Sequence, residues 1–285
     1  MDSFLRIGGI TIAVRCDGDR VRCDWDGPSR RFLVPPAADP DLDLHVTTAA
    51  SFPKGGQVVF DSHAVWRMLR DGDSWRIECH SPEFGEEPYK VATFDRAFTR
   101  GTVAVRDDVT HLHPLEYPLD EVIVANLLGR GRGVELHSCG VIDRQGRGHL
   151  FVGMSGAGKT TTARLWEGEA SGIVSDDRVI VREHDGAMWM YGTPWHGEAE
   201  LSLAARVPLT GVYLLAQAPE NELRELSHAT AVARLFACSF PPFYDGAAVD
   251  FTLGMLSRLA EAVPVRELHF TRDRAAVDLV LGATR

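Results

Sequence analysis

Eight consecutive residues, Gly153-Met154-Ser155-Gly156-Ala157-Gly158-Lys159-Thr160, have the types and spacing that hold a phosphate. They satisfy G-x-x-x-x-G-K-[ST]: glycines let the backbone wrap close to an anion, and successive N–H groups then point inward as a nest. Lys159 adds a compact, mobile positive charge that can follow the outer phosphates of a nucleotide, and the Thr160 hydroxyl is placed to ligate Mg²⁺, with Thr161 next in the same turn. In a chain of this composition roughly 0.003 chance matches are expected, so accident is a poor account of the motif. A GTP-reading N-K-x-D motif is absent, since the only asparagines are Asn126 and Asn221 and neither precedes a lysine. A transporter-type L-S-G-G-Q segment is absent too. The expected ligands are ATP and Mg²⁺.

A second group, Ser175-Asp176-Asp177-Arg178, lies seventeen and eighteen residues beyond Lys159 at its two carboxylates. Adjacent side chains in extended chain alternate, so the two acids cannot point the same way. One, Asp176, can hold Mg²⁺ while the other, Asp177, accepts a proton from an attacking hydroxyl. The competing reading is a turn with solvated carboxylates. Arg178 can neutralise charge on a transferred phosphoryl group or pair with Asp176. His137 reads as a hydrogen-bonded strand-end residue or a site residue. The stretch Tyr191-Gly192-Thr193-Pro194-Trp195-His196-Gly197-Glu198 suits a lid that excludes water, or a packed turn with Trp195 in the core. Glu198 is the expected second metal or acceptor-site carboxylate, with Glu200 as the alternative.

These residues need elements to hold them. The first hundred positions read as short strands joined by turns, with D-G turns at Asp17-Gly18-Asp19, between Ile10–Cys16 and Arg20–Trp25, and at Asp71-Gly72-Asp73. A helix is expected over Leu119–Leu128, closed by Gly129. Beyond it the pattern is mixed: strand Leu150–Val152 before the phosphate motif, a helix from Lys159 to about Trp166, strands through Met188–Tyr191 and Gly211–Ala216, and helices over Ala229–Cys238, Ala247–Val263 and Asp273–Leu281. Two domains are expected, 1–110 β-rich and 111–285 carrying the phosphate motif.

Composition narrows the partners. Thirty basic residues against forty acidic give a net charge of -10, with no Lys/Arg-rich run, which argues against nucleic acid and membrane surfaces. Only Lys54, Lys90 and Lys159 are lysines, so a chain that otherwise uses arginine places one of its three in the phosphate motif. No signal peptide or membrane span is read at the sequence level, and five cysteines without a C-x-x-C pair suggest free thiols in the cytoplasm.

The run LHSCGVIDRQGRGHLFVGMSGAGKTTTARLWEGEASGIVSDDRVIV resembles the core of the bacterial HPr kinase/phosphorylase proteins, whose fold is related to phosphoenolpyruvate carboxykinase. The likeness covers about residues 134 to 200 and rests on a histidine ahead of the P-loop and an Asp-Asp behind it. It implies that Asp177 is the carboxylate that deprotonates an acceptor serine, that His137 is the family histidine, and that Lys159 and Thr160 contact nucleotide and metal. The family's glycine- and arginine-containing segment is not found. The likeness is greater to the divergent HPr-kinase-like proteins that accompany peptide-modifying pathways, in which Y-G-T-P-W-H-G is familiar.

The expected fold is thus α/β, a P-loop protein with a phosphoenolpyruvate-carboxykinase- and HPr-kinase-like mixed-sheet core behind a β-rich N-terminal domain. The expected activity is transfer of a γ-phosphoryl group to a hydroxyl of a peptide, protein or small molecule, by Asp177, Lys159 and His137. The alternative is a nucleotide-binding regulatory module with little or no transfer. A homo-oligomer is compatible with either.

Overall fold

Runs of β-branched and aromatic residues broken by Gly, Pro and Asp are too short for helices and satisfy their backbone groups by pairing as strands. The computed structural model of the chain describes residues 2–17, 25, 27–63, 65–109, 113 and 115–283. They divide into two compact units, Met1–Leu127 and Leu128–Arg285.

In the first unit β1 (Ser3–Ile7), β2 (Ile10–Cys16), β3 (Leu42–Ala49), β4 (Gln57–Asp61), β5 (Trp66–Asp71), β6 (Ser74–Cys79), β7 (Lys90–Phe94) and β8 (Arg100–Arg106) form one sheet, ordered β1-β2-β3-β8-β7-β6-β5-β4. Gly72, at φ +59°, makes the tight turn between β5 and β6, where the D-G signal stands. The other D-G hairpin falls largely at residues 18–24, outside the described ones. Helix α1 (Leu119–Leu128) ends where Gly129 follows. Cys79, Cys139 and Cys238 are free and buried, but Cys16 is disulfide-bonded, which corrects the expectation of thiols throughout. A search for C-x-x-C spacing overlooks a bridge that needs only neighbouring Cβ atoms in space.

The second unit runs β9 (Val134–Asp143), β10 (Gly148–Val152), α2 (Lys159–Leu165), β11 (Ala170–Ser175), β12 (Arg178–His184), β13 (Ala187–Tyr191), β14 (Arg206–Gln217), β15 (Glu222–Glu225), α3 (His228–Ala237), α4 (Gly246–Ala262), β16 (Val265–Phe270) and α5 (Ala275–Gly282). Its strands run β10-β9-β12-β13-β14-β16-β15, and β10 pairs again with β14, closing β10, β9, β12, β13 and β14 into a five-stranded barrel. Side-chain alternation sends Leu150 and Val152 of β10, with Val212 and Leu214 of β14, into one core with α3 and α4. Phe151 and Tyr213 enter a second core, where Trp166, Phe270 and Val277 pack. Both faces of β10 are therefore buried, and beyond His149 its sequence is the apolar run Leu150–Val152.

This overturns the expected α/β class. Strand accounts for 40% of the chain against 23% helix, the protein is mostly β, and a P-loop α/β kinase fold is not indicated. Around the barrel only β10 and β14 pair in parallel, and the other neighbours are antiparallel. The reason is local: a strand, a glycine turn and two helical turns specify how one segment folds, not how distant strands pair. Among the described residues no helix is long and apolar enough to cross a membrane.

The β9–β10 hairpin is tied by Asp143, which is 1% exposed. Its Oδ1 accepts from the Gln145 and Arg147 backbone N–H groups at 2.9 Å each, and its Oδ2 from Arg147 Nε at 2.7 Å and His149 Nε2 at 3.1 Å. Burial raises the carboxyl's pKa, but these donors outweigh burial and hold it below the usual range. A depressed carboxylate stabilises the fold above its unfolded pKa of about 3.9 and loses that contribution as pH falls through the folded value. Asp143→Asn is therefore expected to lower unfolding stability by about 2 kcal/mol at pH 7, with the difference shrinking below about pH 4, read from urea midpoints across pH.

Candidate functional site

The phosphate motif leaves the barrel at the end of β10 and turns into α2. Gly156 and Gly158 hold φ +80° and +110°, conformations that L side chains rarely adopt, and a Cβ on Gly158 would lie 2.7 Å from the Phe270 ring. Gln217 Nε2 donates to Gly156 O at 2.9 Å and ties the turn to the end of β14. Lys159 is 7% exposed, and its Nζ donates to Gly153 O at 3.0 Å and Met154 O at 3.2 Å, folding the side chain back across the loop. Two of the ammonium's three protons are so used. Burial pushes its pKa down, opposed by the nearby Asp177 carboxylate. Thr162 is the first residue of α2 whose N–H reaches a preceding carbonyl, Gly158 O at 2.8 Å, and Gly158 offers no side-chain cap. Met154, Ser155 and Gly156 are exposed, and Ala157, Thr160 and Thr161 half-buried.

Backbone hydrogen bonds bring the second group to the same place. Gly153 N–H donates to His137 O at 3.2 Å, and Ser138 N–H to Asp177 O at 3.0 Å, so the start of the loop, His137 and Asp177 meet along β9. His137 Nε2 donates to Asp177 Oδ1 at 2.9 Å, and Arg178 Nη1 donates to Asp177 Oδ2. Burial raises the Asp177 pKa, but the His137 hydrogen bond and the charges of Arg178, His137 and Lys159 win and hold it below the ordinary range. Asp177 is therefore ionised at neutral pH.

The two carboxylates diverge, but Asp176 does other work than expected. It is 1% exposed; its Oδ1 accepts from Gly197 N–H at 2.9 Å and Leu201 N–H at 3.3 Å, and its Oδ2 from Ala199 N–H at 2.9 Å. Both oxygens are committed to the loop after β13, so the carboxylate anchors that loop, and the metal role read for it is not what this geometry favours. Gly197 is required there, since a Cβ would approach Asp176 Oδ2 to 2.9 Å. Glu198 and Glu200 are exposed, and among the described residues no hydrogen bond or ion pair joins either to Thr160, Asp176 or Asp177. No group of three or more His, Cys, Asp and Glu among the described residues is arranged to hold a metal ion.

The Tyr191–Glu198 stretch is a packed turn at its start. Thr193 is fully buried, Trp195 is 7% exposed, and Ser175 Oγ donates to Trp195 O at 2.9 Å. Gly192 has no room for a side chain, its Cβ position overlapping Leu203 O and lying 2.7 Å from Val174 O.

Phe240 and Glu135 escape a reading along the chain. Phe240 N–H donates to Glu135 O at 3.2 Å, which seats its ring 4.2 Å from the Arg178 guanidinium carbon and 6.1 Å from the His137 ring. Glu135, whose side chain is buried, lies 3.5 Å from Arg178 Nε. Only the pairing of Leu136 with Ser239, a hundred residues apart, brings Phe240 here, and no local motif announces it.

No protein-family model matches this chain, and a search of curated proteins finds no match either. The functional reading therefore rests on the residues themselves.

Asp176→Ala should leave three part-buried amides without acceptors and cost roughly 1–3 kcal/mol of stability. Asp177→Asn, half-exposed, should cost under about 1 kcal/mol, as thermal melts of the two variants will show.

Proposed function

We propose that the second unit is an ATP- and Mg²⁺-dependent phosphotransferase that moves a γ-phosphoryl group onto a hydroxyl, serine foremost, of a peptide, protein or small molecule. The observation that carries this reading is the convergence of the Gly153–Thr160 loop, with buried Lys159, on the ionised Asp177–His137 pair. The resemblance to HPr-kinase-like proteins in the same residues points the same way, as a resemblance of motif and not of overall fold.

In this reading the glycine turn and the N–H groups that open α2 receive phosphate oxygens, and the remaining Lys159 proton meets the outer phosphates. The acceptor hydroxyl donates a hydrogen bond to Asp177. Its oxygen then forms the bond to the γ-phosphorus as the bond to the β-phosphate oxygen breaks and ADP leaves, and the hydroxyl proton passes to Asp177. His137, bonded to Asp177 Oδ1, orients the carboxylate. Arg178 is placed beside the charge that develops. The residues present fit a Mg²⁺ that arrives with the nucleotide, because this ion keeps its waters and takes one or two protein oxygens plus phosphate. Thr160 would hold it, and bound there it supplies charge neutralisation on the phosphates.

One observation favours the second reading, a nucleotide-binding regulatory module: both oxygens of Asp177 are engaged, by His137 and Arg178. Labelled ATP separates the two. With γ-labelled ATP and candidate hydroxyl peptides, Asp177→Asn should retain nucleotide binding and lose transfer by about 10²–10⁴-fold. Lys159→Ala should weaken nucleotide binding itself. Equal loss of binding in both variants, or binding with no labelled product in the parent protein, removes the kinase reading. Because the Asp177 pKa is depressed, its protonation should not slow transfer until the pH falls below about 4.

A further inference from the structure

The first unit contains a cavity of about 440 Å³ that nothing above uses, at the end of the β4–β5 hairpin. Its walls include Asp61, His63, Trp66, Arg67, His80 and Glu86. The volume is that of a site for a small molecule or one side chain with its flanking backbone.

The charges around it decide what fits. Arg67 Nε donates to Glu78 at 2.6 Å, and Glu78, 3% exposed, also holds Arg76 Nε at 3.0 Å, while Arg76 reaches Asp71 at 3.2 Å. Arg67, which lines the cavity, is thus paired with the buried Glu78. Asp61 and Glu86 are both exposed, and among the described residues neither forms an ion pair with a lysine or arginine. The cavity consequently carries an excess of negative charge.

Its remaining surface suits a cation as well. Phe60 stacks on Trp66 with ring centroids 4.8 Å apart, and Trp66 itself lines the cavity. An aromatic face beside carboxylates is the arrangement that holds an ammonium or guanidinium. His80 Nε2 is buried with no hydrogen-bond partner, 3.8 Å from Glu78 Oε2. His63 stands at the wall with φ +54°, a left-handed backbone that a non-glycine residue holds only under constraint, here the bond from its N–H to Asp61 Oδ1 at 2.7 Å.

The geometry points to this cavity as a recognition site for an organic cation, a primary ammonium or guanidinium of the kind a lysine or arginine side chain carries. A peptide residue and a free amine share that chemistry. The proposal is independent of the phosphotransferase reading.

The test uses the full chain and histidine imidazole NMR shifts, with four probes: Gly-Lys-Gly amide, its norleucine and glutamate counterparts, and putrescine. The lysine peptide should bind roughly ten-fold or more tighter than either counterpart and lose affinity with added salt. Asp61→Asn with Glu86→Gln, both exposed, should weaken it roughly three- to ten-fold without moving the melting temperature, and Trp66→Leu should do the same where it folds. Putrescine binding as tightly as the peptide identifies a free amine as the ligand; weaker binding identifies a peptide side chain. Norleucine or glutamate peptide binding as well as lysine overturns the proposal. So does unchanged lysine binding in the folded double variant.

Discussion

Strand β9 is the constraint on which the candidate site depends. Its backbone pairs with β10, β11 and β12, and within two residues it accepts a hydrogen bond from the start of the glycine loop and donates one to Asp177. His137 sits between those bonds, and its own N–H donates to Cys238 O at 2.8 Å, which brings in the segment that carries Phe240. Loop, acid, histidine and aromatic ring come from four distant stretches of chain. Main-chain hydrogen bonds along one buried strand hold all four, and their positions do not depend on flexible side chains finding each other.

Burial then divides labour between two chemically identical acids. Asp176 and Asp177 are neighbours, yet one accepts from three backbone amides and the other faces an imidazole, a guanidinium and an ammonium. The first environment ties the carboxylate to the loop after β13. The second keeps a carboxylate charged while leaving it half-exposed, the condition for meeting a hydroxyl from outside. Lys159 is buried enough to be costly as a cation, and two loop carbonyls and the Asp177 charge offset that cost.

Local signals were read well because they are local. Ser227 accepts from Thr230 N–H and starts α3 at His228, and α4 begins at Gly246 behind an Asp245 cap, each one residue from the expected start. The glycine turn after an apolar strand was legible for the same reason. Strand partners were not: nothing in the apolar runs of β10 and β14 states that they meet, and the expected α/β class failed at that step. Within the site, Asp176 looked like a ligand because its type and spacing suit one. Its true partners, the amides of Gly197, Ala199 and Leu201, are backbone groups that no residue type advertises.

The closed barrel also sets the order in which these groups can come together during folding. The strand that ends in the phosphate motif is completed only when Gly148–Val152 meets Leu209–Leu214, about sixty residues later in the chain. A contact of that sequence separation forms slowly, because the chain between its ends must give up its freedom first. The glycine turn can sample its shape early, but it gains a rigid foundation only with barrel closure. The ordered shape of this loop should therefore be among the last features to appear as the protein folds, and among the first lost when β14 pulls away.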